Sequence, residues 1–118
     1  MIRTPDEVLA YLRARIGERV KFTYPVGEGT LEGHIVDCVV VPGSATRGVP
    51  YFDVVELIAF DGEPEPWMRI TCWRHLPNGR LVFAGQTSIT EPLSVWRRLF
   101  AEARGRAWFP WPEGEARP

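Results

Sequence analysis

Apolar side chains recur along the chain at two spacings. Near both ends they fall three and four residues apart, which gathers them on one side of a helix. Between the ends they fall on every second residue, which gathers them on one face of a strand. The first helical stretch opens on Thr4-Pro5-Asp6-Glu7. An N-cap hydroxyl, a proline at the first helical position, two acids near the positive end of the dipole and Glu7 in capping-box position all favour a start there. Val8, Leu9, Leu12 and Ile16 make its stripe, with Tyr11 at the edge, and Gly17 ends it. The second helix is predicted from Thr90-Glu91-Pro92, with Thr90 as N-cap. Leu93, Trp96, Leu99, Phe100 and Ala103 make its stripe, and Gly105 marks its end.

Five strands are predicted between the helices, over residues 19–26, 30–41, 51–61, 67–76 and 80–86, separated by Gly- and Pro-containing turns. The second passes from alternation at Leu31, Gly33 and Ile35 into the unbroken run Cys38-Val39-Val40-Val41. A run that is oily on both sides predicts a strand covered on both faces, or one crossing from an open to a covered region, and central in its sheet. Short connections favour a meander. The expected fold is therefore α+β, an antiparallel five-stranded meander sheet, strongly curved or barrel-like, flanked by an N-terminal and a C-terminal helix. At 118 residues this is one domain, spanning 1–112, with residues 113–118 expected to be a disordered tail.

The fourth and fifth strands form a hairpin around Leu76-Pro77-Asn78-Gly79-Arg80, in which Asn-Gly is a strong turn signal. Pro77 has no N–H to give to a paired position, so the loop is longer than two residues. A three-residue loop would pair Leu76 with Arg80 and set Leu81 and Phe83 beneath Trp73. A four-residue loop would pair Leu76 with Leu81 and keep the large aliphatics together. The second register is expected, because a slip of one residue moves an entire apolar set to the other face. Met68, Ile70, Cys72 and Leu76 then form an oily face, interrupted by Arg74. The other face carries Trp67, Arg69, Thr71, Trp73, His75, Arg80, Val82, Ala84 and Gln86.

From that second face come the candidate binding residues Trp67, Arg69, Trp73, His75, Arg80 and Gln86. Aromatic rings, cations and an amide together suit a planar or anionic partner, through stacking, cation–π contact and charge-assisted hydrogen bonds. The competing expectation is that a helix, a second copy of the chain or the aromatic tail containing Trp108 and Trp111 covers this surface.

Composition narrows the function classes. An apolar fraction of 45% with 25% charged residues is that of an ordinary globular protein, and no apolar run reaches membrane-spanning length. No secretory pattern opens the chain, so the expected compartment is the cytoplasm. There Cys38 and Cys72, each within a predicted strand, are expected to be buried thiols rather than a disulfide. The net charge of −1 hides a polarised distribution. Residues 22–66 hold one cation against eight acids, whereas residues 67–118 hold eight arginines against four acids. Either neighbouring strands pair these charges across the sheet, or a basic surface exists.

Chemistry is sparse. Cys72 and His75 have opposite strand parity, and His34 and Cys38 share a face but stand about 13 Å apart along it, so no metal site forms from them. No nucleophile elbow, P-loop or dinucleotide fingerprint occurs, and the pairing of Asp53 or Glu56 with His75 is undetermined by sequence. No catalytic residue, metal or cofactor is therefore assigned. The expected function is a non-catalytic interaction protein, self-associating or binding another protein through its mixed aromatic and arginine face. The alternatives are a nucleic-acid-binding module that stacks bases on Trp67 and Trp73, and a small-ligand-binding domain.

Overall fold

The computed structural model describes residues 4–23, 29–43, 45, 47–83 and 89–108. Its elements are α1 (Pro5–Arg13), β1 (Arg19–Thr23), β2 (Thr30–Pro42), β3 (Tyr51–Phe60), β4 (Trp67–His75), β5 (Leu81–Phe83), β6 (Ile89–Pro92) and α2 (Leu93–Arg104). Strands β1 to β5 pair in chain order as an antiparallel meander, curled into a half-barrel, with the two helices at its N- and C-terminal ends. The α+β fold expected from the spacing of apolar residues is the one observed.

α1 begins as its sequence requires. The Thr4 hydroxyl oxygen accepts the Glu7 N–H at 3.2 Å and donates to the Glu7 carboxylate at 3.1 Å. The helix ends earlier than expected, at Arg13, and Ile16 lies beyond it with its side chain exposed. The sheet competes for this segment. The Gly17 N–H donates to the Ile35 carbonyl at 2.7 Å, and the Glu18 carbonyl accepts the Ile35 N–H at 3.0 Å. Residues 17–18 thus serve as a lead-in to β1 rather than as another helical turn.

β2 departs from expectation in two ways. It is flanked by β1 only through residues 30–34, so residues 37–42 pair with β3 alone, and β3 is the central strand. A bulge between Ile35 and Asp37 also adds one residue and reverses the parity of residues 37–42. Gly33, Ile35 and Val40 consequently face inward and are buried, while Val36, Val39 and Val41 face outward and are exposed. His34 and Cys38, expected on one face, are on opposite ones. The valine run is apolar on both sides because its outer side is a surface patch.

The hairpin takes the other register. His75 pairs with Leu81, Arg74 with Val82 and Trp73 with Phe83, and the Leu76 N–H reaches the Arg80 carbonyl at 2.8 Å. This is a three-residue loop, and its chemistry explains the choice. Pro77 presets the first turn position, the Gly79 N–H closes the turn on the Leu76 carbonyl at 2.9 Å, and Gly79 sits at φ 86° where a side chain would be strained. Leu81 and Phe83 therefore join Trp73, whose ring centroid lies 5.0 Å from that of Phe83.

A short strand also stands where the second helix was expected to start. Thr90 is not an N-cap but a β6 residue paired with Arg69, and α2 begins at Leu93. Ile89 and Thr90 are β-branched, and Pro92 biases Glu91 toward extended backbone, so the strand persists up to the proline. β5 and β6 both pair with β4, β5 near its C-terminal end and β6 near its N-terminal end.

Candidate functional site

On the inner face two apolar clusters flank a charged centre. Val8 and Leu12 of α1 pack with Val40, Phe52 and Val54, and Ile58, Phe60 and Trp67 form the second cluster. β3 alternates strictly, so Phe52, Val54, Ile58 and Phe60 place Glu56 between the clusters on the same face. Glu56 is 1% exposed. One of its oxygens accepts the Arg69 Nε at 2.7 Å and Nη2 at 2.6 Å, and the other accepts Arg15 Nη1 at 3.0 Å. The register explains the first partner, since Glu56 lies directly across from Arg69 in β3 and β4.

The two guanidiniums are closed in by rings. Arg15 lies over Trp73 at 5.1 Å and Arg69 over Phe83 at 5.4 Å. Arg15 Nε also approaches the Glu18 carboxylate at 3.5 Å. Every oxygen of the buried carboxylate is thus matched, the condition under which a buried ion pair is tolerable. Three buried polar atoms, Trp67 Nε1, Trp73 Nε1 and Thr90 Oγ1, have no hydrogen-bond partner among the described residues.

The candidate binding residues are distributed over this arrangement. Trp67 and Arg69 lie on the inner face at 8% exposure each, and Trp73 and His75 are half-buried beside them. His75 meets Phe52 edge-on, with ring centroids 6.5 Å apart. Arg80 stands opposite Leu76 where the hairpin loop closes, and its N–H donates to Asn78 Oδ1 at 2.9 Å. Gln86 lies outside the described residues, as do Trp111 and residues 113–118. Trp108 is 74% exposed and does not cover the mixed face.

The outer face is chemically the reverse. Registered pairs set Val39 beside Val55, Val55 beside Ile70 and Ile70 beside Ile89, a row of aliphatic side chains that crosses β2, β3, β4 and β6. Val41, Leu57, Met68 and Cys72 lie one step from this row. Val36, Val39, Val41 and Ile89 are exposed, Val39 at 61%. No cation stands among these positions. Asp37, Asp53 and Glu91 border them, and the exposed Arg74, opposite Tyr51, stands one step beyond Cys72. Strand alternation alone does not reveal this patch, because it invites the oily side of each strand to be read as the core side.

The neighbouring strand edge is guarded. Along residues 36–42 the bulge interrupts the ladder, Asp37 Oδ1 accepts the Cys38 N–H at 2.8 Å, and Pro42 has no N–H to offer. These are the devices that discourage edge-to-edge pairing. The outer face carries no such guard.

Neither cysteine forms a disulfide. The Cys38 thiol lies on the inner side, donates to the Leu12 carbonyl at 3.7 Å, and is held above the usual thiol range by burial and then by the Glu56 carboxylate. No group of three or more metal-ligating side chains occurs among the described residues, and no helix among them is long and apolar enough to cross a membrane. No family model matches the chain, and comparison with curated proteins and with solved structures gives no match. The class defined by fold and surface is an α+β half-barrel with a charged, filled interior and an aliphatic outer face.

Proposed function

We propose that this domain is a non-catalytic interaction protein that works as a self-associated pair, and that its contact surface is the outer aliphatic face. The observation that carries the reading is the aliphatic row from Val39 to Ile89, in register across four strands, exposed at Val39 and Ile89 and half-buried at Val55 and Ile70 between them. Contiguous exposed apolar surface of this kind marks a place where a protein meets a partner. The guarded edge of β2 favours packing face to face over extension of the sheet.

The mixed aromatic and arginine face has a different part in this reading. Trp67 and Arg69 serve the interior, and stacking of bases on Trp67 and Trp73 would require the sheet to open. The nucleic-acid reading therefore ranks below self-association. A small-ligand reading keeps one supporting observation, the three buried polar atoms without partners among the described residues. A thermal-shift panel of small carboxylates and phosphates addresses it, and a uniform null would remove it.

Sedimentation velocity across a concentration series tests the principal reading. The wild-type chain is expected to self-associate, and Val39→Asp to sediment as a monomer. A wild-type chain that remains monomeric at concentrations on the order of tens of micromolar would overturn it.

A further inference from the structure

The inner face carries more hydrogen-bond donors than acceptors. Among the described strand positions that point inward, Glu56 is the one carboxylate, and its oxygens are already divided between Arg69 and Arg15. Two guanidiniums thus share one carboxyl group and keep N–H bonds to spare. Arg69 Nη1 and Arg15 Nη2 form no hydrogen bond among the described residues. Glu18 adds only a 3.5 Å approach to Arg15 Nε, from a side chain that is 54% exposed. The third spare donor is the buried indole N–H of Trp73. An indole nitrogen only donates, so nothing but an acceptor satisfies it.

These donors lie together. Arg15 stacks on Trp73 at 5.1 Å, the Trp73 and Phe83 ring centroids are 5.0 Å apart, and Arg69 lies over Phe83 at 5.4 Å. Because both guanidiniums also hold Glu56, the five side chains form a closed circuit of contacts. Phe83 is the most exposed of the five, at 37%, and the circuit is reached from solvent past its ring. The border on that side is apolar, since Trp73 and Leu81 pack partly buried against the cluster of Val40, Phe52 and Val54.

We propose that this circuit binds a small organic carboxylate, whose oxygens take the donors that Glu56 leaves unused on Arg15, Arg69 and Trp73, and whose apolar body lies against Leu81 and Phe83. A flat carboxylate matches planar guanidiniums stacked on rings, whereas a tetrahedral oxyanion would turn further oxygens toward an apolar border. This deepens the small-ligand reading above and is independent of self-association, which uses the other face of the sheet.

The test follows the indole N–H signals of the full-length, 15N-labelled chain by NMR during titration with sodium acetate, butyrate and benzoate, and with sodium phosphate and sodium chloride at matched ionic strength. Trp73→Phe identifies the Trp73 signal. With at least one of the carboxylates it is expected to move downfield and to saturate, as an unpaired donor gains an acceptor. The Trp96 indole already donates to the Met68 carbonyl at 2.7 Å and is expected to stay in place. Arg15→Met leaves Arg69 with Glu56 intact, and an unmoved Trp96 signal reports its fold. It is expected to bind the same carboxylate about tenfold or more weakly.

No saturable movement of the Trp73 signal with any carboxylate at concentrations on the order of 10 mM overturns the site. Movement with phosphate alone overturns the choice of a carboxylate, and an Arg15→Met chain that binds as wild type overturns the part given to the guanidinium pair. Thermal stabilisation by a carboxylate that leaves the Trp73 signal in place overturns this site alone. A null in both measurements overturns the small-ligand reading with it.

Discussion

The two faces of this sheet invert the usual relation between polarity and burial. The inner face holds two arginines and a glutamate and is closed, whereas the outer face holds valines and isoleucines that are exposed on β2 and β6 and half-buried on β3 and β4 between them. Both follow from the same alternation. On β3, Phe52, Val54, Glu56, Ile58 and Phe60 point inward, and Tyr51, Asp53, Val55, Leu57 and Ala59 point outward. A charge can be interior when every one of its oxygens is matched, as Glu56 is by Arg15 and Arg69. An aliphatic face can be exterior when the curl of the sheet leaves only one side to enclose. The chemistry of a strand face does not by itself say which side is covered.

The largest way to break this comparison is at the inner charge. Glu56→Gln leaves two buried guanidiniums without their carboxylate and is expected to cost about 3–5 kcal/mol, read from urea unfolding. The combined change Arg15→Met, Glu56→Leu, Arg69→Met sharpens the contrast. Replacement of a buried ion group by apolar side chains is often neutral or better, so this chain is expected to recover most of that loss. If Glu56→Gln were as stable as wild type, the interior placement of the cluster would be wrong.

A smaller effect is expected at Gly33. It lies against β3 across from Phe60, and a Cβ there would collide with the Ala59 carbonyl. Gly33→Ala is expected to destabilise by about 1–3 kcal/mol, since backbone must move to admit the methyl. On the outer face, Val39→Asp is expected to change the folding free energy of the monomer by no more than about 0.5 kcal/mol while abolishing association. A stability loss comparable to that of Glu56→Gln would mean that Val39 belongs to the core.

The smallest effect belongs to the surface pair Arg19 and Asp61, 2.7 Å apart and both exposed. The hydrogen bond from Arg19 holds the Asp61 carboxyl below its ordinary range. A depressed carboxyl contributes stability above the unfolded-chain value of about 4, and that contribution is lost as pH falls through the lower folded value. The stability difference between wild type and Asp61→Asn is therefore expected to shrink with acidification. A difference that grew with acidification would contradict the assignment.

Much of the fold is legible in local chemistry. The Thr4 cap, the alternation of β3 and the presence of a turn at Asn-Gly are each set by local chemistry, and the order helix, meander, helix results from them. Register is less accessible. The difference between a three- and a four-residue loop lies in Gly79 taking a positive φ after Pro77 and Asn78, and the β2 bulge at Val36 has no residue signature as plain as a glycine. The site is the least legible part. Alternation groups Trp67, Arg69 and Trp73 on one face, as the structure does, but Glu56, their electrostatic partner, becomes apparent only once β3 is registered against β4. Strand parity alone assigns side chains to two faces without saying which is enclosed.

The chain carries its own reporters for that distinction. Cys72 lies on the outer face beside the aliphatic row, and Cys38 lies on the inner face against Leu12. The most direct test is the rate at which each thiol is labelled by a small maleimide as protein concentration is raised. The expected result is that Cys72 becomes slower to react as copies associate, while Cys38 stays slow throughout. A Cys72 rate independent of concentration in a chain that dimerises would show that the outer face is not the surface that meets its partner.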